Sequence, residues 1–341
     1  MRRLSVAEAI REAITEEMRQ DKKVFCIGED IGIEGGFGGA FGVTQGLSQE
    51  FGHERILNTP IAEAGLAGVA IGAAIMGMRP IADVQYGDFI FIAMDQLINN
   101  AAKLRYLSAG KIKVPLVMRI PVGVSARGTQ HAQSVESLLS HIPGLKVVCP
   151  STPYDAKGLL KSAIRDDNPV MVFEHKLLYG AKGRKEALDV SMDVPKEEYF
   201  IPIGRADVKR EGKDITIVGL LKTVHTALSA AKRLKKEGIE LEVIDPRTLV
   251  PLDKETILQS IKKTGKLIII QEDNLFSGWG AEIVSLVAEK AFDYLDAPPR
   301  RIGPPATPVP FAPVMEKYYV PDEEDLSKEV KKIMGWRHYP S

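Results

Sequence analysis

The chain has 341 residues, 45 basic and 45 acidic, so its formal net charge is zero and it is long enough for two domains with sizeable cores. The even balance argues against nucleic acid or an anionic membrane surface as the main partner, and it suits a protein that works inside an assembly. Cys26 and Cys149 both sit in apolar runs, which excludes a disulfide scaffold and points to a reducing compartment.

In chain order, the first twenty residues carry four glutamates in an amphipathic pattern, unlike an acid-poor targeting peptide, and a helix is expected over 5–21. Strands are expected over 24–28, 56–58, 79–84, 116–120, 146–149 and 170–173. Helices over 44–51, 61–77, 89–107, 134–141 and 153–165 separate them. From 179 to 202 the chain turns charged and proline-bearing, and Lys182–Lys185 read as a solvated run. The alternation then restarts, with strands over 215–219, 240–245 and 266–271 and helices over 224–237, 254–264, 279–295 and 323–334. Residues 298–313 contain seven prolines and must run extended, while Asp322–Asp325 form an acidic helix start.

This alternation is the signature of α/β domains, each a mostly parallel sheet with helices on both faces. A first domain over 1–185, a linker over 186–201 and a second domain over 202–341 follow. The longest uncharged run, near 64–78, is shorter than the about 20 residues a membrane-spanning helix needs, so the cytoplasm is the expected location.

Glu63 opens the helix over 61–77, which is mostly glycine and alanine, with Thr59 as a candidate N-cap and Pro60 at the first helical position. A carboxylate at the edge of such a dry interior is costly unless something specific meets it. Locally, two readings stay open: a functional acid, or a charge that complements the helix dipole. The glycines of 32–42 follow a strand, yet their spacing and the acids Glu29, Asp30 and Glu34 speak against a dinucleotide loop; a mobile loop at the site entrance is expected instead. His53, His141, His175 and His225 show no metal-ligand spacing, and no serine nucleophile motif is present.

The run Asn58-Thr59-Pro60-Ile61-Ala62-Glu63-Ala64-Gly65-Leu66-Ala67-Gly68, followed by Arg79-Pro80 and Gln85-Tyr86-Gly87-Asp88-Phe89, resembles the beta subunits of the thiamine-diphosphate-dependent 2-oxo acid dehydrogenases, including the acetoin dehydrogenases. The likeness continues through Gln130-His131-Ala132-Gln133, His141-Ile142-Pro143-Gly144, Glu174-His175-Lys176-Leu177-Leu178-Tyr179 and Asp245-Pro246-Arg247-Thr248. Motifs in similar order and spacing span residues 4 to 335.

The resemblance implies a pyrimidine-type thiamine-diphosphate-binding domain followed by a transketolase C-terminal-like domain. It implies that Glu63 activates the cofactor, that Phe89 packs on its aminopyrimidine with Gln85 nearby, and that His131 serves proton and acyl-transfer steps. Where this chain has Ala132 the family usually has serine, so one polar contact near His131 is lost. Leu116, Ala163, Ile164, Asp166 and Asn168 would hold a structural potassium ion, against the plainer reading of a helix-ending loop. The Gly-Asp-Gly motif that holds Mg²⁺ and the diphosphate is missing, and Asn99-Asn100 falls mid-helix without it. An alpha subunit in an α₂β₂ heterotetramer is therefore expected to supply that half.

The implied reaction forms a cofactor-bound carbanion from pyruvate, a branched-chain 2-oxo acid or acetoin and passes the acyl unit to lipoyl groups of an acyltransferase core. Two rivals are a non-catalytic nucleotide-binding or scaffold subunit and a self-sufficient transketolase-like enzyme. The missing Gly-Asp-Gly counts against the second.

Overall fold

The computed structural model describes residues 2–33, 35–180 and 187–336. It divides into two compact units: the chain up to Ser125 together with Gln130–Ile203, and Ala126–Thr129 together with the chain from Gly204 onward. Lys182–Lys185 and Glu34, read above as a solvated run and a repelling acid, lie outside the described residues.

The first unit is built on parallel strands in the order Lys146–Val148, Val170–His175, Val117–Val122, Arg79–Asp83, Val24–Gly28, Ile56–Asn58. Every residue of Val24–Gly28, Val117–Val122 and Val170–His175 is buried, which is what a sheet covered on both faces requires. Side chains alternate faces with period two. Cys26, Ile81, Val117, Val170 and Val172 point into one core, closed by Ile10 and Ile14 of helix Val6–Gln20 and by Leu159 and Leu160 of helix Pro153–Arg165. Ser5 caps the first of these helices in a reciprocal box with Glu8, and Thr152 caps the second, with Pro153 at its first turn.

These two helices also share an ion network. Lys157 and Lys161 are fully buried side chains, yet both reach Glu16 at 2.7 and 2.8 Å, and Arg165 holds Glu17 at 2.8 Å. Within the sheet, Arg119 makes a forked bond to Glu174 at 2.9 and 2.6 Å and a third to Asp83, while Tyr179 donates its hydroxyl to Glu174.

The second unit orders its strands as Arg300–Ile302, Leu267–Ile270, Ile215–Gly219, Leu241–Asp245, Asp207–Arg210, all parallel except the last. Ile217, Val243 and Ile268 meet Ala227, Ala231 and Leu234 of helix Lys222–Lys235 and Val330 of helix Glu323–Met334 in its core. Asp322 caps that last helix in a box with Asp325, in keeping with the acidic start read from the sequence.

Three expectations need correction. Thr59 is not a helix cap: its N–H bonds Gly28 O at 3.0 Å, which keeps it running on from the sheet, and the helix starts later, as Glu63–Ile75 with Ala62 before it. The helix over 89–107 is a succession of segments, with a π-helical stretch Gln96–Ala101 that contains Asn99 and Asn100. The stretch before residue 202 is not a free linker where it is described. Met192–Val194 pairs antiparallel with Arg2–Leu4, and Tyr199 stacks on Tyr154 at 4.5 Å. The proline-bearing segment does run extended where it includes strand Arg300–Ile302, paired parallel to Leu267–Ile270.

Candidate active site

The candidate residues of the first unit follow the C-terminal ends of neighbouring parallel strands, where ligands bind in open α/β sheets. Glu29 follows Val24–Gly28, Glu63 follows Ile56–Asn58, Gln85–Phe89 follow Arg79–Asp83, and His131 follows Val117–Val122.

Glu63 is the first residue of its helix and only 5% exposed. Among the described residues no group donates a hydrogen bond to its carboxylate. The positive end of the helix dipole favours the charge there, and the carboxylate is left free to accept a hydrogen bond from a ligand. Its electrostatic neighbour is Glu29: burial first, then the charges of Glu63, Asp30 and Asp83, push the Glu29 carboxyl above its ordinary value. Gln85 is tied to the same place, donating its amide to Glu29 O at 3.3 Å.

Beside them stands a cluster of rings. The His131 ring packs edge-on to Tyr86 at 4.7 Å and to Phe89 at 5.2 Å, and Tyr86 and Phe89 meet each other at 5.8 Å. Phe41 extends the cluster, edge-on to Tyr86 at 5.6 Å and stacked on Tyr179 at 4.9 Å. Lys176 lies 5.7 Å from the Tyr86 ring centre, close enough for a cation–π contact. The glycine-bearing loop is thus anchored at several points: Phe41 in the rings, Gly32 N–H on the Asn58 side chain at 2.8 Å, and Arg11 on Gly42 O and Val43 O.

An edge-on ring cluster and an acid with no hydrogen-bond donor among the described residues, both following strand ends of one sheet, fit a planar, nitrogen-bearing ring that needs aromatic contact and a hydrogen-bond acceptor. That is the shape of demand an aminopyrimidine makes. Sequence reasoning did not single out Glu29, Tyr86, Asp88 or Gln133. The signal was present in their places, directly after strand ends and inside the motifs that carried the resemblance.

The proposed potassium ligands lie at the opposite edge of the sheet, before the strands begin. Ile164 O and Asp166 O each accept from the Arg79 guanidinium at 2.7 Å; Ala163 O accepts from Asp166 N–H at 3.2 Å, and Leu116 O from Val170 N–H at 2.8 Å. The Asp166 carboxylate pairs with Lys146 and with Asn168, whose side-chain oxygen accepts from Arg105 at 2.6 Å. Ala163, Ile164, Asp166 and Asn168 are joined through these bonds, while Leu116 is tied to Val170, and Arg79 already serves two of the carbonyls. Each carbonyl keeps a second lone pair, so a further cation fits only as an addition to the guanidinium. Among the described residues no group of three or more His, Cys, Asp or Glu side chains is placed to hold a metal ion.

Fold and site define a two-domain protein of the transketolase class. The model for the transketolase pyrimidine binding domain matches residues 2–182, and that for the transketolase C-terminal domain matches 204–326. The split-gene transketolase "inactive beta4 tetramer" shares the fold with a TM-score of 0.77 at 23% identity, covering 97% of this chain and 98% of that one.

Sequence relatives narrow the class. The chain is 45% identical to 2-oxoisovalerate dehydrogenase subunit beta of Bacillus subtilis, over 97% of its length and 98% of the relative's. It is 47% identical to the acetoin:2,6-dichlorophenolindophenol oxidoreductase subunit beta of the same organism, over 97% of each chain. It is 45% identical to pyruvate dehydrogenase E1 component subunit beta of Rickettsia conorii, over 97% and 98%. The chain belongs to the family of E1 beta subunits of the 2-oxo acid and acetoin dehydrogenases.

Proposed function

We propose that this chain is the beta half of a thiamine-diphosphate-dependent first component that acts on a 2-oxo acid or acetoin and delivers an acyl unit to a lipoyl acyltransferase. The observation that carries the reading is Glu63, a 5%-exposed residue whose carboxylate has no hydrogen-bond donor among the described residues, following a strand of the same sheet as those leading to Gln85, Phe89 and His131. When bound, thiamine diphosphate supplies the carbon nucleophile that attacks the substrate carbonyl. Glu63 would hold the pyrimidine ring by a hydrogen bond to a ring nitrogen. Phe89 gives the ring a surface to lie on, and Gln85 borders it. His131 moves a proton at the substrate side, a task imidazole performs as donor or acceptor.

The reading requires an alpha chain. The sequence lacks Gly-Asp-Gly, so Mg²⁺ and the diphosphate are assigned to the partner. The first unit also exposes an apolar surface on two helical segments that pack together: Val69 (58% exposed) and Met76 (83%) on or just after helix Glu63–Ile75, with Phe91 and Ile92 on Ile90–Asp95. Glycines and alanines between them let another backbone approach closely. An α₂β₂ assembly covers such a face. The same reading gives a structural role to potassium at Leu116, Ala163, Ile164, Asp166 and Asn168, alongside Arg79.

The test is turnover by the chain co-expressed with its alpha partner, offered pyruvate, branched 2-oxo acids and acetoin with an artificial electron acceptor. The reading expects the pair to turn over one of these classes and the chain alone to turn over none. A pair that binds the cofactor yet is inert to all three would overturn the substrate class.

A further inference from the structure

Asp88 and Gln133 carry no role in the site as described, yet they join its two halves. Asp88 is 7% exposed, and its Oδ1 accepts from Gln133 Nε2 at 2.7 Å. Its Oδ2 is buried with no hydrogen-bond partner among the described residues, so Gln133 is the one side chain there that satisfies this carboxylate. Asp88 immediately precedes Phe89, and Gln133 lies two residues beyond His131.

Both ends of the bond are pinned to the same strand end. Gly87 lies so close to strand Val117–Val122 that a Cβ there would stand 2.7 Å from Val122 Cγ1. Gln133 O accepts from the N–H of Gly123, the residue after that strand, at 3.3 Å. Gly123 itself needs glycine: its φ is +90°, and a Cβ would meet the His175 ring. Strand, Gly87–Asp88 and Gln133 thus form a closed loop, and the Asp88–Gln133 bond is the link that closes it.

The two segments also meet through the ring packings of His131 on Tyr86 and Phe89. Edge-on ring contacts tolerate sliding, whereas a hydrogen bond to a carboxylate is directional and about twice as strong as a neutral one. We propose that Asp88 and Gln133 are positioning residues: their bond fixes the His131 segment against the Phe89 segment and so sets where the His131 imidazole stands. The kinetic part of this inference rests on the function proposed above; the geometric part does not.

Three variants of the full chain, prepared with its alpha partner, test it. Q133E sets two carboxylates against each other and breaks the bond. D88N keeps an acceptor for Gln133. The double variant D88N/Q133E rebuilds the bond with donor and acceptor exchanged. The first readout is carbethoxylation of His131 by diethyl pyrocarbonate, followed by peptide mass spectrometry with His53 as internal standard.

Q133E should raise the His131 rate by about tenfold, the factor one lost charge-assisted bond carries. D88N and the double variant should stay within about threefold of the wild type, less than the factor of ten that 1.4 kcal/mol represents. In turnover, Q133E should lower kcat by about ten- to a hundredfold with little change in KM, since a misplacement of order 1 Å has that cost. The double variant should recover most of the loss. Unchanged His131 labelling in Q133E, or no recovery in the double variant, overturns the proposal. Labelling that responds as expected while kcat stays fixed upholds the clamp and removes His131 from the reaction. Thermal unfolding of each variant separates loosening of this segment from loss of the fold.

Discussion

The Glu63 carboxylate accepts no hydrogen bond from the described residues, and the dipole of its own helix favours its charge. Replacing it by glutamine keeps shape and volume and removes the charge. The E63Q chain, assembled with its partner, should lose turnover by a factor of about a hundred or more, the scale of a lost proton-transfer group, while sedimentation shows the assembly intact. Turnover within a few-fold of the wild type would return Glu63 to the role of a helix-start charge. Arg119 is the opposite case: a buried cation satisfied on three sides, by Asp83 and twice by Glu174. Burial works to lower its pKa, but those carboxylates raise it well above its ordinary value, so it stays charged. R119M would strand two buried carboxylates and should cost roughly 3–5 kcal/mol in urea unfolding. A loss below about 1 kcal/mol, the range of an exposed pair, would show that the network contributes little.

The pairing of helices Val6–Gln20 and Pro153–Arg165 has a pH signature. Burial works to raise the Glu16 carboxyl, but hydrogen bonds from Lys157 and Lys161 outweigh it and hold the group below its ordinary 4.5. Its contribution to stability is therefore full above that value and is lost as pH falls through the lowered pKa. For Lys161, burial works to lower the pKa, and the bonds and charges of Glu16, Glu17 and Glu198 together outweigh it, leaving the group above its ordinary 10.5. That contribution is full below 10.5 and is lost as pH rises through the raised pKa. The melting temperature should form a plateau between these limits, and the K161M variant should flatten its alkaline edge; an unchanged edge would contradict the assignment. These two helices were legible in the sequence nearly to the residue, because amphipathic period, caps and a proline at N1 all agree there. The start of helix Glu63–Ile75 was not, because Thr59 and Pro60 satisfy local capping rules while the bond from Thr59 N–H to Gly28 O, a contact across the fold, holds the chain extended. Short strands such as Arg2–Leu4, Met192–Val194 and Asp207–Arg210 escaped for the same reason: three or four residues carry too little pattern to outweigh their charged composition. In the site, Glu63, Phe89 and His131 were marked by motif, whereas the Asp88–Gln133 bond spans 45 positions and no local pattern announces it.

For the molecule as a whole, the zero net charge and the apolar face around Val69 and Met76 fit a chain that functions only when covered. Placing a charge on that face, as in V69R, should leave the isolated chain as stable as before, since the side chain is already 58% exposed, and should abolish assembly in sedimentation experiments. An intact assembly would move the interface elsewhere. The potassium reading belongs to this scale as well: exchange of potassium for a bulky organic cation should lower the melting temperature, and no change would leave Arg79 as the sole cation on those carbonyls. If this chain holds one half of a cofactor site completed by a partner, calorimetry of thiamine diphosphate with Mg²⁺, on the chain alone and on the chain co-expressed with its alpha subunit, should show it. Tight binding is expected for the pair and none for the chain alone. Tight binding by the chain alone, or none by the pair, would contradict it.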